Sequence, residues 1–258
     1  MSELQVKTMA EFMAEEKETD ILFWVGSAGS FDDRAKKITR AFVKIMNRAG
    51  VNFGVLGPEE SSSGDVAKRA GNEFLFQMQA LTNIEVMNAY KIKHIVTTCP
   101  HSYNTIKNEY PSLGGDYTVQ HHTEFISNLI TEGKLTITSN LKGKEIVYHD
   151  PCYLGRANNV YDAPRKLIKS LGVELVEMKR SKRLSFCCGA GGAQMFKEPE
   201  NGTQDININR TEEALSLNPD IIATGCPFCN TMMTDGVKSV NEGSAEVLDI
   251  AELIADNI

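Results

Sequence analysis

Apolar residues fall into two alternating patterns along the chain. Short compact runs, which read as buried strands, alternate with longer stretches in which apolar positions recur every three or four residues, the helical period. Asp20 to Val25 (DILFWV) is the first compact run, and Asn52 to Leu56, Ile92 to Thr97, Asp116 to Gln120, Glu145 to Tyr148, Glu174 to Glu177 and Ile221 to Ala223 continue the series. Asp32 to Asn47 carries a helical stripe of Ala35, Ile38, Phe42 and Ile45. Further helices are predicted near Val66 to Ala89, His101 to Glu109, His122 to Glu132, Tyr161 to Leu171 and Asp205 to Leu217. Gly26-Ser27-Ala28-Gly29-Ser30 reads as a glycine turn between the first strand and the first long helix. Strand, turn and helix in repeated succession predict an α/β fold with mostly parallel sheets. Ahead of this series, residues 1 to 19 place Met9, Phe12 and Met13 at helical spacing among Glu11, Glu15, Glu16 and Glu18, so an N-terminal amphipathic helix is expected there.

The two halves of the chain follow one plan. A shift of 125 positions lays Ser27 on Cys152, Ser62 on Cys187, Ser63 on Cys188 and Gly64 on Gly189. A shift of 127 lays Cys99-Pro100-His101-Ser102 on Cys226-Pro227-Phe228-Cys229. Farther on, His121 to Ile126 stands opposite Asp249 to Ile254. Such self-similarity is the signature of a tandem duplication. The break is expected in the polar stretch Thr136 to Gly143, which divides the chain into units of residues 20 to 140 and 141 to 258.

Composition narrows the partners more than the fold. With 258 residues, 41% of them apolar, the chain is long enough for one large domain or two ordinary ones. Lys and Arg number 27 against 34 Asp and Glu, and the net charge of -7 argues against nucleic acid or an anionic lipid surface as main partner. No apolar run approaches the ~18 residues of a membrane span. The opening residues are acidic and do not resemble a signal peptide. The chain is therefore expected to be cytoplasmic, without direct membrane insertion, and to reach any membrane through another subunit. Structural disulfides are uncommon in that compartment.

Five of the six cysteines are Cys152, Cys187, Cys188, Cys226 and Cys229, spaced C-x34-C-C-x37-C-x2-C. A C-x-x-C pair alone fits a redox dithiol, and two cysteines can be small apolar core residues. Neither reading accounts for five. Tetrahedral zinc takes four ligands, whereas thiolates are the usual ligands of iron-sulfur clusters. Gly189, Gly191 and Gly192 supply the backbone freedom that a sharp turn at adjacent cysteines needs. Pro227 suits a first helical turn, which would put Cys226 at a strand-to-helix junction where amide N–H groups favour thiolate.

These words, with His149-Asp150-Pro151-Cys152-Tyr153-Leu154-Gly155-Arg156, Cys187-Cys188-Gly189-Ala190-Gly191-Gly192 and Gly225-Cys226-Pro227-Phe228-Cys229, resemble the CCG (cysteine-rich) domain found in heterodisulfide reductase and in the iron-sulfur subunits of glycolate, lactate and glycerol-3-phosphate oxidoreductases. They are most similar to a membrane-associated branch thought to pass electrons from electron-transfer flavoprotein towards quinone. The resemblance implies one [4Fe-4S] cluster, cubane or non-cubane, held by Cys152, Cys187, Cys188, Cys226 and Cys229 at strand ends of an intact second copy. It also implies other oxidoreductase subunits as partners, among them a flavoprotein and a membrane-bound iron-sulfur or haem protein. The first copy reads as a degenerate CCG domain, because serine replaces cysteine at four ligand positions and a hydroxyl is a hard, non-ionising substitute for a thiolate.

Three functions fit this pattern: an electron relay, a catalytic subunit that reduces a disulfide at the cluster, and a metal-stabilised scaffold. His149, Asp150, Arg156 and Arg210 are candidates for the shell around the ligands. The serine positions read either as a relic kept for packing or, with Ser30, as an anion-binding nest. Cys99 beside His101 reads as a buried relic or a reactive thiol. His121 and His122 read as surface or capping residues, and Met195, Phe196, Met232 and Met233 as core or rim packing.

Overall fold

The computed structural model describes residues 4–138, 141–198 and 201–258. In the first half the elements are β1 (Lys7–Thr8), α1 (Met9–Ala14), β2 (Ile21–Trp24), α2 (Gly26–Phe31), α3 (Asp33–Arg48), β3 (Phe53–Val55), α4 (Asp65–Arg69), α5 (Glu73–Ala89), β4 (His94–Thr97), α6 (Pro100–Asn108), β5 (Thr118–His121) and α7 (His122–Thr131). The second half contributes β6 (Glu145–Tyr148), α8 (Asp162–Ser170), β7 (Glu174–Val176), α9 (Ile206–Leu215), β8 (Ile221–Thr224), α10 (Pro227–Asn241), β9 (Glu246–Asp249) and α11 (Ile250–Ala255).

Two parallel sheets result, in the orders β1-β3-β2-β4-β5 and β7-β6-β8-β9. Without the edge strand β1, both sheets have the same order when strands are numbered within each half: second, first, third, fourth. The expected duplicated α/β fold is therefore what the chain adopts. In both copies the order reverses between the first and third strands, the position where open α/β sheets place their ligands, beyond the strand C-termini.

Alternation along the strands decides which layer each side chain joins. Ile146 and Tyr148 on β6, Ile221 and Ala223 on β8, and Phe23 on β2 enter one core; Val147, Ile222, Leu22 and Trp24 point to the opposite faces. That shared core takes Ile38, Phe42 and Ile45 of α3, Phe125 and Ile126 of α7, Leu167 and Ile168 of α8, and Ile250, Leu253 and Ile254 of α11. Here α3 packs on α11 and α7 on α8, so the helices of the two copies exchange partners about a pseudo-twofold axis. Arg34 at the start of α3 grips Glu252 of α11 through both carboxylate oxygens at 2.7 and 2.8 Å. At matching positions Glu124 and Glu252 accept the amides of His121 and Asp249, closing the same capping box in each half.

Several sequence expectations are corrected. Residues 66–89 are two helices, because Gly71 turns at φ +86° and the Asn72 side chain caps α5 by accepting the Leu75 amide. Gly26 to Ser30 is the helix α2 and not a turn; the Glu60 carboxylate accepts the Val25 and Gly26 amides at 3.0 and 2.6 Å. The N-terminal region contains the short α1 and a strand that pairs with β3. His121 and His122 are fully buried and not at the surface, since the pseudo-twofold packing sets His122 Nε2 3.0 Å from Asp249 Oδ1, whereas the capping alternative holds for His121, the N-cap of α7. The expected break at Thr136 to Gly143 includes residues 139–140, which lie outside the described residues.

Candidate metal centre

Cys152 follows the end of β6 and Cys226 the end of β8, so the reversal point of the second sheet delivers two of the thiols. Pro227 opens α10 and places Cys229 in its first turn, as the sequence predicts. Cys187 and Cys188 arrive on a segment without regular structure between β7 and α9. The residue after them, Gly189, holds φ at +93°, and its amide donates to Cys187 Sγ at 3.2 Å. A side chain at Gly189 would meet Ile206 Cβ at 3.2 Å.

The five sulfurs form one connected group. Cys188 Sγ lies 3.2 Å from Cys229 Sγ, and the remaining thiols are near enough to act on a neighbour's ionisation: Cys152 and Cys187 on one another, Cys187 on Cys188, and Cys226 on Cys229. Cys188, Cys226 and Cys229 are buried with Ala190 behind Met195, Phe228 and Met232, whereas Cys152 and Cys187 are partly exposed. Hydrogen bonds from Cys152 and Cys188, with the Gly189 amide, lower the Cys187 pKa. Burial acts to raise that of Cys226, but the Cys229 thiol, the His101 charge and the amides of Cys229 and Phe228 outweigh it and leave the value lowered. Thiolate is thus favoured at Cys187 and Cys226, while neighbouring thiols and burial push Cys152, Cys188 and Cys229 up; metal would have to displace those protons.

The surrounding residues fix this arrangement. A nitrogen of His149 lies with the Cys188 and Cys229 sulfurs in a group whose atoms are all within 4.8 Å of one another. Arg210 Nε donates to His149 Nδ1 at 3.0 Å, and burial, aided by Arg210, pushes the His149 pKa down to about 3. Arg210 can only donate, so the neutral imidazole carries its proton on Nε2. Asp150 is clamped by Arg165 and also accepts the Lys182 amide at 2.8 Å, which ties the strand end before Cys152 to the segment leading to Cys187. Arg156, by contrast, is exposed. Arg165 escaped notice in the sequence, where it sits on an ordinary amphipathic helix 15 residues from Asp150.

The first copy presents its corresponding positions to the same region. Ser27, Ser62, Ser63, Cys99 and Ser102 line one cavity of about 360 Å³, and Met195, Phe196 and Phe228 close it from the second copy. Met195 and Phe228 thus form a wall between the cavity and the thiols. His101 packs 5.6 Å from the Phe228 ring and 4.4 Å from the Tyr153 ring, and its Nδ1 pairs with Asp65 at 2.8 Å. The relic reading is corrected in one respect, since the serine positions border open space and are not packed shut. The anion-nest reading is corrected as well. Ser30 is not among the lining residues, Glu60 occupies the Val25 and Gly26 amides, and Asp65 adds a second carboxylate. Cys99 is buried, and burial, with the charge of nearby Cys226, pushes its thiol up to about 12, unlike a reactive cysteine.

Fold and site together define a duplicated α/β protein with one five-thiol centre. The chain belongs to the cysteine-rich (CCG) domain family, which matches residues 21–107 and again 146–234. It is 48% identical over 256 residues to the "Probable iron-sulfur-binding oxidoreductase FadF" of Bacillus subtilis, covering 98% of this chain and 36% of that protein. It is 45% identical to the "EtfAB:quinone oxidoreductase" of Syntrophomonas wolfei, covering 98% of this chain and 37% of the relative. One polypeptide of the dihydromethanophenazine:CoB--CoM heterodisulfide reductase of Methanosarcina barkeri is 32% identical, over 93% of this chain and 59% of that polypeptide. The chain therefore spans little more than a third of the first two relatives. Among the described residues, no helix is long and apolar enough to cross a membrane.

Proposed function

We propose that this chain is the iron-sulfur part of an oxidoreductase that relays electrons between a flavoprotein donor and a membrane-bound, quinone-reactive partner. In this reading residues 141–258 are the intact unit, whose Cys152, Cys187, Cys188, Cys226 and Cys229 hold one [4Fe-4S] cluster, and residues 20–140 are the metal-free copy. The observation that carries it is the gathering of the five thiols, with Cys188 and Cys229 sulfurs 3.2 Å apart and the others close enough to shift one another's ionisation. The donor set fits the group: soft thiols, two of them favoured as thiolate, beside the amide of Gly189 and behind an apolar wall. When bound, such a cluster takes up and returns electrons one at a time.

The protein's own residues define the conditions. Neutral His149 stands beside the Cys188 and Cys229 sulfurs, and polar groups around the sulfurs are among the levers that set a cluster's potential. Met195, Phe228 and Met232 exclude water from the buried side. The partial exposure of Cys152 and Cys187 leaves an edge through which a partner can exchange electrons. The names of the relatives, which include an EtfAB:quinone oxidoreductase and a component of a heterodisulfide reductase, support partners of the oxidoreductase class. Serine at four positions of the first copy favours the relay over a two-cluster catalyst.

Anaerobic purification with iron and sulfide counted per chain tests the reading. About four irons are expected from one [4Fe-4S] site, with bleaching of the visible absorbance when a reduced flavoprotein is added. A chain free of iron, or one that reduces disulfides catalytically on its own, would overturn it.

A further inference from the structure

We propose that the cavity bordered by the serine copy is a binding site for a planar, uncharged ring bearing carbonyl oxygens, the chemistry of a quinone headgroup. The choice of a quinone among such rings extends the relay reading, which puts quinone on the partner, by giving this chain a site of its own; the cavity itself does not depend on that reading.

The walls and floor select this chemistry. Phe31, Phe196 and Phe228, with Val25, Val66 and Met195, give apolar and aromatic sides. Phe31 and Phe196 remain 83% and 63% exposed, so the aromatic rim faces solvent and leaves a mouth for entry. The volume of about 360 Å³ is within the range of small-molecule pockets, which combine apolar walls with a few polar groups. Hydroxyls of Ser27, Ser62, Ser63 and Ser102 supply those groups.

One donor has no other use. The indole Nε1 of Trp24 is buried and has no hydrogen-bond partner among the described residues. It lies 3.9 Å from the point that a Cβ on the cavity-lining Gly26 would occupy, and Ser102 Oγ lies 3.7 Å from the same point. A carbonyl oxygen entering beside Gly26 would approach the indole N–H and the Ser102 hydroxyl, which here donates to Ser63 Oγ at 3.4 Å, and pairing relieves the cost of the buried unpaired N–H. Anions are disfavoured by the cavity-lining Asp65, which already balances any charge on His101. The remaining candidate is a flat apolar body with acceptor oxygens. Through Met195 and Phe228, which the cavity and the thiol group share, such a ligand would sit one side chain away from the metal centre.

Trp24 is the chain's single tryptophan, and its indole Nε1 lies beside the cavity-lining Gly26, so its fluorescence reports on that side of the cavity. The iron-loaded protein should be titrated with a naphthoquinone that lacks an isoprenoid tail, beside Ser62→Phe, which fills the cavity, and Phe31→Ala, whose exposed side chain can be removed without disturbing the core. Saturable quenching is expected, weakened at least about tenfold in Ser62→Phe and severalfold in Phe31→Ala, with iron content and visible absorbance unchanged. Unsaturable quenching, equal affinity in all three proteins, or quenching by inorganic phosphate would overturn the proposal. Loss of iron with saturable quenching retained would count against the relay reading and leave the cavity's ligand intact; iron retained without saturable quenching would do the reverse.

Discussion

Arg165 holds both carboxylate oxygens of Asp150, Nη1 to Oδ1 at 2.7 Å and Nη2 to Oδ2 at 2.8 Å. The same guanidinium reaches Glu177 at 2.6 and 2.9 Å, so it joins a strand end, a helix and the segment after β7 in one buried network. Removing one member of a buried pair leaves the other charge uncompensated. Arg165→Ala should destabilise the protein by about 3 to 5 kcal/mol. It should also lower the iron content, because Asp150 then loses its hold on the Lys182 amide. Denaturant unfolding and iron analysis check both effects; an unchanged midpoint would remove the network from the account of the site.

The two copies predict opposite responses to cysteine chemistry. Replacing any one of Cys152, Cys187, Cys188, Cys226 or Cys229 with serine should reduce bound iron well below the parent's value and alter the cluster's spectrum. Cys99→Ser and Ser63→Ala should leave both nearly unchanged, since neither residue joins the connected sulfurs. If Cys99→Ser proved as damaging as Cys226→Ser, the first copy would have a share in metal binding.

Asp65 and His101 give a pH dependence whose sign can be derived. Burial acts to raise the Asp65 pKa, but hydrogen bonds and charge from His101 and Arg69 outweigh it and leave it lowered; its contribution is present above the unfolded value and lost as pH falls through the folded one. Burial acts to lower the His101 pKa, but the bond to Asp65 outweighs it and raises the value; that contribution is present below the unfolded value and lost as pH rises through the folded one. The pair is thus strongest in the window between the two folded values. Asp65→Asn should cost about 2 kcal/mol near pH 6, a hydrogen bond to a charged group being worth about 1.5 to 3. The cost should shrink as the medium is made alkaline. Thermal unfolding of parent and variant across that range reads the difference, and a gap that widened with pH would refute the assignment.

Gly189 and Gly192 separate backbone strain from crowding. Both have positive φ, +93° and +69°, but a side chain meets Ile206 at 3.2 Å in the first and nothing within 4 Å in the second. Gly192→Ala should cost only the conformational penalty, about 1 to 2 kcal/mol. Gly189→Ala should cost more and disturb Cys188, which lies next to it. Unfolding midpoints and the cluster's absorbance, compared between the two variants, test the distinction.

The strands other than β1 and β9 were legible because each is written in local pattern. Buried parallel strands are compact apolar runs, and Cys226-Pro227-Phe228-Cys229 announces a strand-to-helix junction whatever surrounds it. Local pattern also misled. Val66 to Ala89 reads as one helix because both pieces carry apolar positions; the glycine-asparagine pair at 71–72 was the available sign of a break. Gly26 to Ser30 lacks any helical stripe, and Glu60, more than 30 residues away, accepts the amides at its start. Pairings such as His122 with Asp249 or Asp65 with His101 join residues 127 and 36 positions apart. Only the packing about the pseudo-twofold axis brings the first of these together, and no spacing rule anticipates it.

The exchange of helices between copies bears on how the protein is made. On a ribosome, the apolar face of α3 emerges long before residues 250–255, against which it finally rests. Until then Ile38 and Phe42 lack that cover, so the earlier copy is exposed to premature association with other chains during synthesis. Its maturation must wait for the later copy, and the two should then lock into place as one cooperative unit.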